Sequence, residues 1–320
     1  MARTTLSATC ISALLFLCPI GLADDTPVNI VPVSASSAPH AHLRIDSSLV
    51  LIPAHVTTPN GTSVTSLTQE NFKVFEDNVE QKITHFSLDD APVSIGLLFD
   101  SSGSMHNKMR KSSEAAATFF KTANPDDEFF LVEFSERAKL TVPFTPDSDE
   151  IYRQILRNRP FGRTSLLDAI HLGLQHMKHA RNLRKALVIL SDGGDNRSRY
   201  TAGEIKNAML ESDVQVYAMG IFEPPDSHKL SPEEQNGPRL LDELADHTGG
   251  RLFTVDHLDE LPTISERIGN ELRNEYLIAY SPANESRDGK FRRVKVNLTP
   301  PPEMSNLRIY FRHGYYAPAE

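Results

Sequence analysis

The stretch VSIGLLFDSSGSM, residues 93–105, constrains this chain more than any other. Its first seven residues are mostly apolar with almost no polar break, as expected of a strand buried on both faces of a parallel sheet. The run stops at Asp100 and continues as Ser101, Ser102, Gly103 and Ser104. Met105, Met109, Ala116, Phe119 and Ala123 then recur at helical spacing and predict a helix over 105–123. A carboxylate and two alternate hydroxyls therefore fall where a buried strand turns into a helix. Open α/β sheets bind ligands at such places.

D-x-S-x-S is donor chemistry for a hard cation. Magnesium and manganese prefer oxygen ligands in octahedral geometry and keep waters where the protein supplies few charges. Further oxygens are expected at other strand ends. Residues 185–190 (KALVIL) form a second buried-strand run ending at Ser191, Asp192 and Gly193. Between the two runs, the loop Phe161-Gly162-Arg163-Thr164-Ser165 opens a helix over 166–178.

These features, in this order, resemble the von Willebrand factor A (VWFA) domain over roughly residues 91–270. The resemblance implies a doubly wound, Rossmann-like domain at 91–273. It also implies a metal-ion-dependent adhesion site formed by Asp100, Ser102, Ser104, Thr164 and Asp192. Ser102, Ser104 and Thr164 would reach a magnesium or manganese ion through hydroxyls, and Asp100 and Asp192 mostly through water. Neutral hydroxyls leave much of the dication's charge uncompensated, so an open position suits a Glu or Asp carboxylate of a protein partner. The implied protein is an interaction module and not an enzyme.

Other readings attach to the same residues. The aspartates can be ordinary strand-end polar groups, with serines capping the helix. Asp100 can be imagined as the nucleophile of a magnesium-dependent phosphotransferase or hydrolase. However, dehalogenase-like phosphatases place a second aspartate two residues on, where Ser102 stands. No G-x-S-x-G elbow, Walker loop or G-x-G-x-x-G follows a strand. A structural envelope protein with a vestigial site is the third reading. Asp195 and Asn196 read as rim or turn residues. His171, His176 and His179 suggest a metal set, but His171 and His179 share a helix face with Gln175 and Lys178 that reads as solvated.

The formal net charge of −9 over 320 residues argues against a nucleic-acid partner, which would normally meet a basic patch. Residues 1–23 read as a secretory signal peptide: Arg3, the apolar run CISALLFLCP, then Gly21-Leu22-Ala23 before the cleavage point. The run is too short for a membrane span and is broken by Pro19. Both cysteines, Cys10 and Cys18, lie inside it, so the mature chain would have neither thiol nor disulfide chemistry. Later segments offer no transmembrane run, and a secreted or periplasmic location is expected.

Residues 24–42, rich in Pro, Ala and Ser, read as a flexible linker, and 43–90 as an N-terminal β module. In that module a strand covers 49–56, Asn60-Gly61 marks a turn, and 72–75 should pair with 82–86 around Glu76-Asp77-Asn78. Strand and helix then alternate, with an antiparallel edge at 138–145 and a surface loop at 223–238 preceding a helix at 240–247. Residues 274–320 return to strands near 275–280, 294–298 and 307–311, expected to complete a β-sandwich with the N-terminal module. The phrase FKVFEDN and the closing Gly314-Tyr315-Tyr316 resemble secreted bacterial VWFA-related proteins best represented in acidobacteria. The expected fold class is α/β: a doubly wound, mostly parallel sheet with an added sandwich built from both ends of the chain.

Overall fold

The computed structural model describes residues 49–88, 90–222, 231–304 and 306–319. The expected signal peptide, linker and first residues of the β module lie outside them. Strands β1 (Val50–Thr57), β2 (Phe72–Glu76), β3 (Val79–Gln81) and β4 (Ile83–Leu88) come first. Then follow β5 (Val93–Asp100), α1 (Met109–Phe120), β6 (Glu128–Phe134), β7 (Ala138–Thr145), α2 (Ser148–Ile155) and α3 (Leu166–Met177). The alternation continues through β8 (Arg184–Ser191), α4 (Ala202–Glu211), β9 (Gln215–Gly220), α5 (Pro232–Asp246), β10 (Leu252–Thr254) and α6 (Leu261–Arg273). The chain closes with β11 (Tyr276–Tyr280), β12 (Phe291–Leu298), β13 (Arg308–Phe311) and β14 (Gly314–Tyr316).

The central sheet has the order β10-β9-β8-β5-β6-β7, parallel except for β7, which runs antiparallel to β6 at the edge. All eight residues of β5 are buried, because helices cover both faces. Val93, Ile95, Leu97 and Phe99 pack towards α1, α2 and α6, while Leu98 packs with side chains of α3, α4 and α5. Gly96 belongs to this close fit: a Cβ there would lie 2.2 Å from the Phe130 ring.

The terminal strands build two four-stranded sheets, β13-β1-β11-β4 and β14-β12-β2-β3, each mixing strands from both ends of the chain. Ile52, Val56, Phe72, Val74, Tyr276, Ile278 and Val294 share one core between them. Buried Glu76 receives hydroxyl hydrogen bonds from Tyr280 and Tyr315, both at 2.8 Å. Pro53 lies inside β1, a central strand. Pairing with β13 begins only at Ala54, so the proline has a strand neighbour on one side and spoils no second ladder.

Four local expectations differ from the structure. Strand 72–76 turns back at Asp77 and Asn78, both at positive φ (47° and 69°), and pairs with β3. The expected partner, β4, pairs instead with β11 in the other sheet. Helix α1 starts four residues later than its apolar spacing implies. Residues 103–105 form a 3-10 turn because the Gly103 N–H donates to Gly162 O (3.0 Å) rather than into a helix. Part of the expected 223–238 loop, from Pro232 on, is helical. Ser231 and Glu234 form a reciprocal capping box, and Pro232 takes the first helical position, where its missing N–H is no loss. Gly314–Tyr316 is a fourth C-terminal strand, beyond the three expected.

Candidate metal centre

Asp100 is the last residue of β5 and is fully buried. Its Oδ1 accepts from the Ser102 backbone N–H at 2.8 Å, and its Oδ2 from the Ser191 hydroxyl at 2.5 Å. Ser191 ends β8, the parallel neighbour of β5, and its Oγ also accepts from Gly193 N at 3.0 Å. One hydroxyl thus ties two strand ends together. The hydroxyls of Ser102 and Ser104 stand 3.1 Å apart, with Ser102 buried and Ser104 at the surface.

The Thr164 loop is clipped onto this turn by backbone. Phe161 N donates to Ser101 O at 2.9 Å, Gly103 N to Gly162 O at 3.0 Å, and Ser165 N to Ser135 O at 2.8 Å. Thr164 is buried and bracketed by Asn196, whose Oδ1 accepts from Thr164 N (3.0 Å) and whose N donates to Thr164 O (3.1 Å). Asp195 accepts from Leu167 N at 2.8 Å, satisfying one of the free N–H groups at the start of α3. The post-β8 loop therefore fixes both Thr164 and its helix. Asp195 and Asn196 are braces, a larger role than rim residues.

Asp192 is buried and carries the least satisfied carboxylate of the group. Its Oδ1 is buried with no hydrogen-bond partner, and its Oδ2 lies 3.6 Å from Lys108 Nζ. That ammonium also donates to Ile221 O at 3.0 Å. Behind Asp192, helix α5 crosses at backbone distance: a Cβ on Gly193 would sit 2.9 Å from Gly237, so neither glycine tolerates a side chain. Burial first, and then the neighbouring charge of Asp192, push the Asp100 carboxyl up to about 7, against the hydrogen bonds from Ser102 and Ser191. Two buried carboxylates thus share too little positive charge.

The arrangement fits a hard dication. Every candidate donor is oxygen, the hydroxyl pair converges, and one carboxylate oxygen is orphaned. Among the described residues no three His, Cys, Asp or Glu side chains cluster as a ligand set, so hydroxyls are indispensable to a metal here. Asp100, Ser102 and Ser104 are joined by direct hydrogen bonds. Asp192 reaches them through its charge, and Thr164 through the backbone clips. The α3 histidines have other occupations: His171 stacks on Tyr200 at 4.0 Å, and His176 packs against Phe130 and Phe144 at 4.7 and 4.8 Å.

Sequence reasoning missed Ser191 and Lys108. Ser191 falls level with Asp100 only once β5 and β8 pair in parallel, a register that neither strand's own sequence carries. Lys108 had no signal either, because nothing local marks a lysine that the fold will bury.

Residues 95–194 match the family profile of the von Willebrand factor type A domain. Residues 95–194 are thus similar to a VWFA domain, and the parallel sheet with its strand-end loops is consistent with that match. An uncharacterized protein of Borreliella burgdorferi is 27% identical over 202 residues, covering 55% of this chain and 57% of the relative. The chain thus spans a little over half the length of that curated relative. Among solved structures, a von Willebrand factor type A protein from Catenulispora acidiphila is 13% identical, covering 77% of this chain and 75% of that one (TM-score 0.49). The vWF domain of the type V pili tip protein Mfa5 from Porphyromonas gingivalis is 12% identical, covering 57% and 95% respectively (TM-score 0.47).

Proposed function

We propose that this chain is an exported protein-binding module. It holds one magnesium or manganese ion at Asp100, Ser102, Ser104, Thr164 and Asp192, and binds a partner protein through that partner's Glu or Asp. The observation that carries the reading is the buried Asp192 Oδ1 without a partner, beside a converging hydroxyl pair and a second buried carboxylate. When bound, the ion supplies positive charge to both aspartates and Lewis acidity at an open position. The chain's own residues do the rest. Asp100, with both oxygens already accepting hydrogen bonds, is suited to act through water, while Ser102 and Ser104 offer neutral oxygens. Asn196 and the Phe161-Gly162 backbone hold the Thr164 loop in place.

The phosphotransfer alternative is disfavoured by the same geometry. A nucleophilic Asp100 would need a free, accessible oxygen, whereas both of its oxygens accept hydrogen bonds inside a buried pocket. A structural protein with a vestigial site would associate with partners regardless of metal.

Calorimetric titration of manganese into wild type and Asp100→Ala is the direct test. Wild type should take up one ion and the variant essentially none, since it keeps only one of two charges. Thr164→Ala should lose less metal affinity but still weaken partner capture. A wild type that binds no ion, or a variant that binds it equally well, overturns the reading. Export is tested separately: N-terminal sequencing of mature protein should begin near Asp24, and an intact Met1 on an embedded chain would make the segment an anchor.

A further inference from the structure

The loops around the candidate site carry a charge opposite to that of the whole chain. On a molecule of net charge −9, Arg137, Arg159, Arg163 and Arg197 stand exposed on the turns that border Thr164. Among the described residues none of these four side chains forms an ion pair or hydrogen bond, whereas neighbouring Arg199 is held by Asp168 at 3.1 Å. Arg163 directly precedes Thr164, and Arg197 directly follows its brace Asn196. Arg137 and Arg197 line a common cleft of about 760 Å³ with Glu136, His171 and Arg199. Between Arg159 and Arg163, Phe161 is 60% exposed although its own N–H is hydrogen-bonded to Ser101 O. An exposed aromatic on a tethered loop, flanked in sequence by the unpartnered Arg159 and Arg163, has the composition of an interface centre.

We propose that this rim docks an acidic, extended segment of a partner protein. Several Glu or Asp side chains would lie along Arg137, Arg163 and Arg197, with an apolar side chain on Phe161. The central carboxylate contact rests on the metal reading above; the rim contacts do not. Guanidiniums match carboxylates as two-pronged forks, and like charges gathered without partners raise the local potential for an anion. A carboxylate-bearing protein suits the rim better than a nucleic acid. The remaining surface of an acidic chain repels a long polyanion, and Phe161 offers one anchor instead of a series of stacking platforms.

The test uses fluorescence anisotropy of a labelled deca-glutamate peptide, with deca-glutamine and a ten-nucleotide thymidine oligomer as controls. The proteins are wild type, the triple variant Arg137→Glu/Arg163→Glu/Arg197→Glu, and Asp100→Ala. With manganese, wild type should bind deca-glutamate in a salt-sensitive way and ignore deca-glutamine. The triple variant should bind it at least tenfold more weakly while taking up manganese as wild type does. Asp100→Ala should keep the salt-sensitive part and lose the manganese-dependent part. Equal binding by the triple variant, or no binding by wild type, overturns the rim proposal and leaves the metal reading standing. Binding that ignores chelator and Asp100→Ala but collapses in the triple variant upholds the rim and overturns the metal reading. A thymidine oligomer bound as tightly as deca-glutamate overturns the assignment to an acidic protein. Melting curves of the triple variant should match wild type, because the three exposed side chains form no ion pair or hydrogen bond among the described residues.

Discussion

Lys108 Nζ stands 3.6 Å from Asp192 Oδ2, with both side chains only 6% exposed. The lysine comes from the turn before α1 and the aspartate from the end of β8, so one ion pair joins the first and last loops of the candidate centre.

Lys108→Met should therefore make stability depend on metal. Removing one partner of a buried ion pair typically costs about 3–5 kcal/mol, because the other charge is left uncompensated. In chelator the variant should melt well below wild type. Manganese should raise its Tm more than it raises that of wild type, since the ion restores the missing positive charge beside Asp192. Equal manganese shifts in the two proteins would mean that the ion and Lys108 do not share Asp192.

Metal uptake should strengthen with pH. Asp100, raised to about 7 by burial and by Asp192, is protonated in the folded protein below that point. Proton and cation then compete for it. Apparent manganese affinity should climb by up to tenfold per pH unit below about 7 and level off above it, because one proton is displaced. Without metal the sign reverses for stability. The raised carboxyl contributes most below its unfolded value near 4, and that contribution disappears as pH rises through about 7. Titrations at about pH 6, 7 and 8 decide it.

His55 titrates in the opposite sense. Burial holds it neutral down to about 4, helped by the charges of Arg251 and Arg267 and opposed by the Asn274 carbonyl that its Nδ1 meets at 3.2 Å. Its contribution is complete above about 6.5 and is lost as pH falls from there towards 4, for at most about 3 kcal/mol. Comparing thermal melts of wild type and His55→Phe across that window isolates this residue, since Asp100 behaves alike in both. The gap between the two proteins should narrow on acidification. A constant gap would mean that His55 does not titrate there.

Gly96→Ala should destabilise the sheet without touching the centre. The added methyl would lie 2.2 Å from the Phe130 ring and 2.6 Å from Leu187, so a buried core must shift, typically for about 1–3 kcal/mol. Denaturant unfolding should report that loss, while manganese affinity per folded molecule stays unchanged.

The sequence by itself determined the alternation of strand and helix from Val93 onward. Runs such as residues 93–99 and 186–190 are almost wholly apolar, as a strand covered on both faces requires. It also determined that Asp100 and Asp192 fall at strand ends, within two residues of such a run, and that Ser102 and Ser104 sit in the turn just after the first. Tertiary structure alone decided which strands pair across the ends of the chain. β4 had the pattern of a hairpin partner for β2, yet it joined β11, because the turn at Asp77-Asn78 closes onto Val79–Gln81. It alone decided that Ser191 bridges two strands, that Asn196 brackets Thr164, and that Lys108 is buried against Asp192. It also decided that Gly193 and Gly237 meet at backbone distance. Each of these joins residues far apart in the chain, and no local propensity or spacing encodes such a contact; it exists only once the packed sheet has brought its loops to one edge.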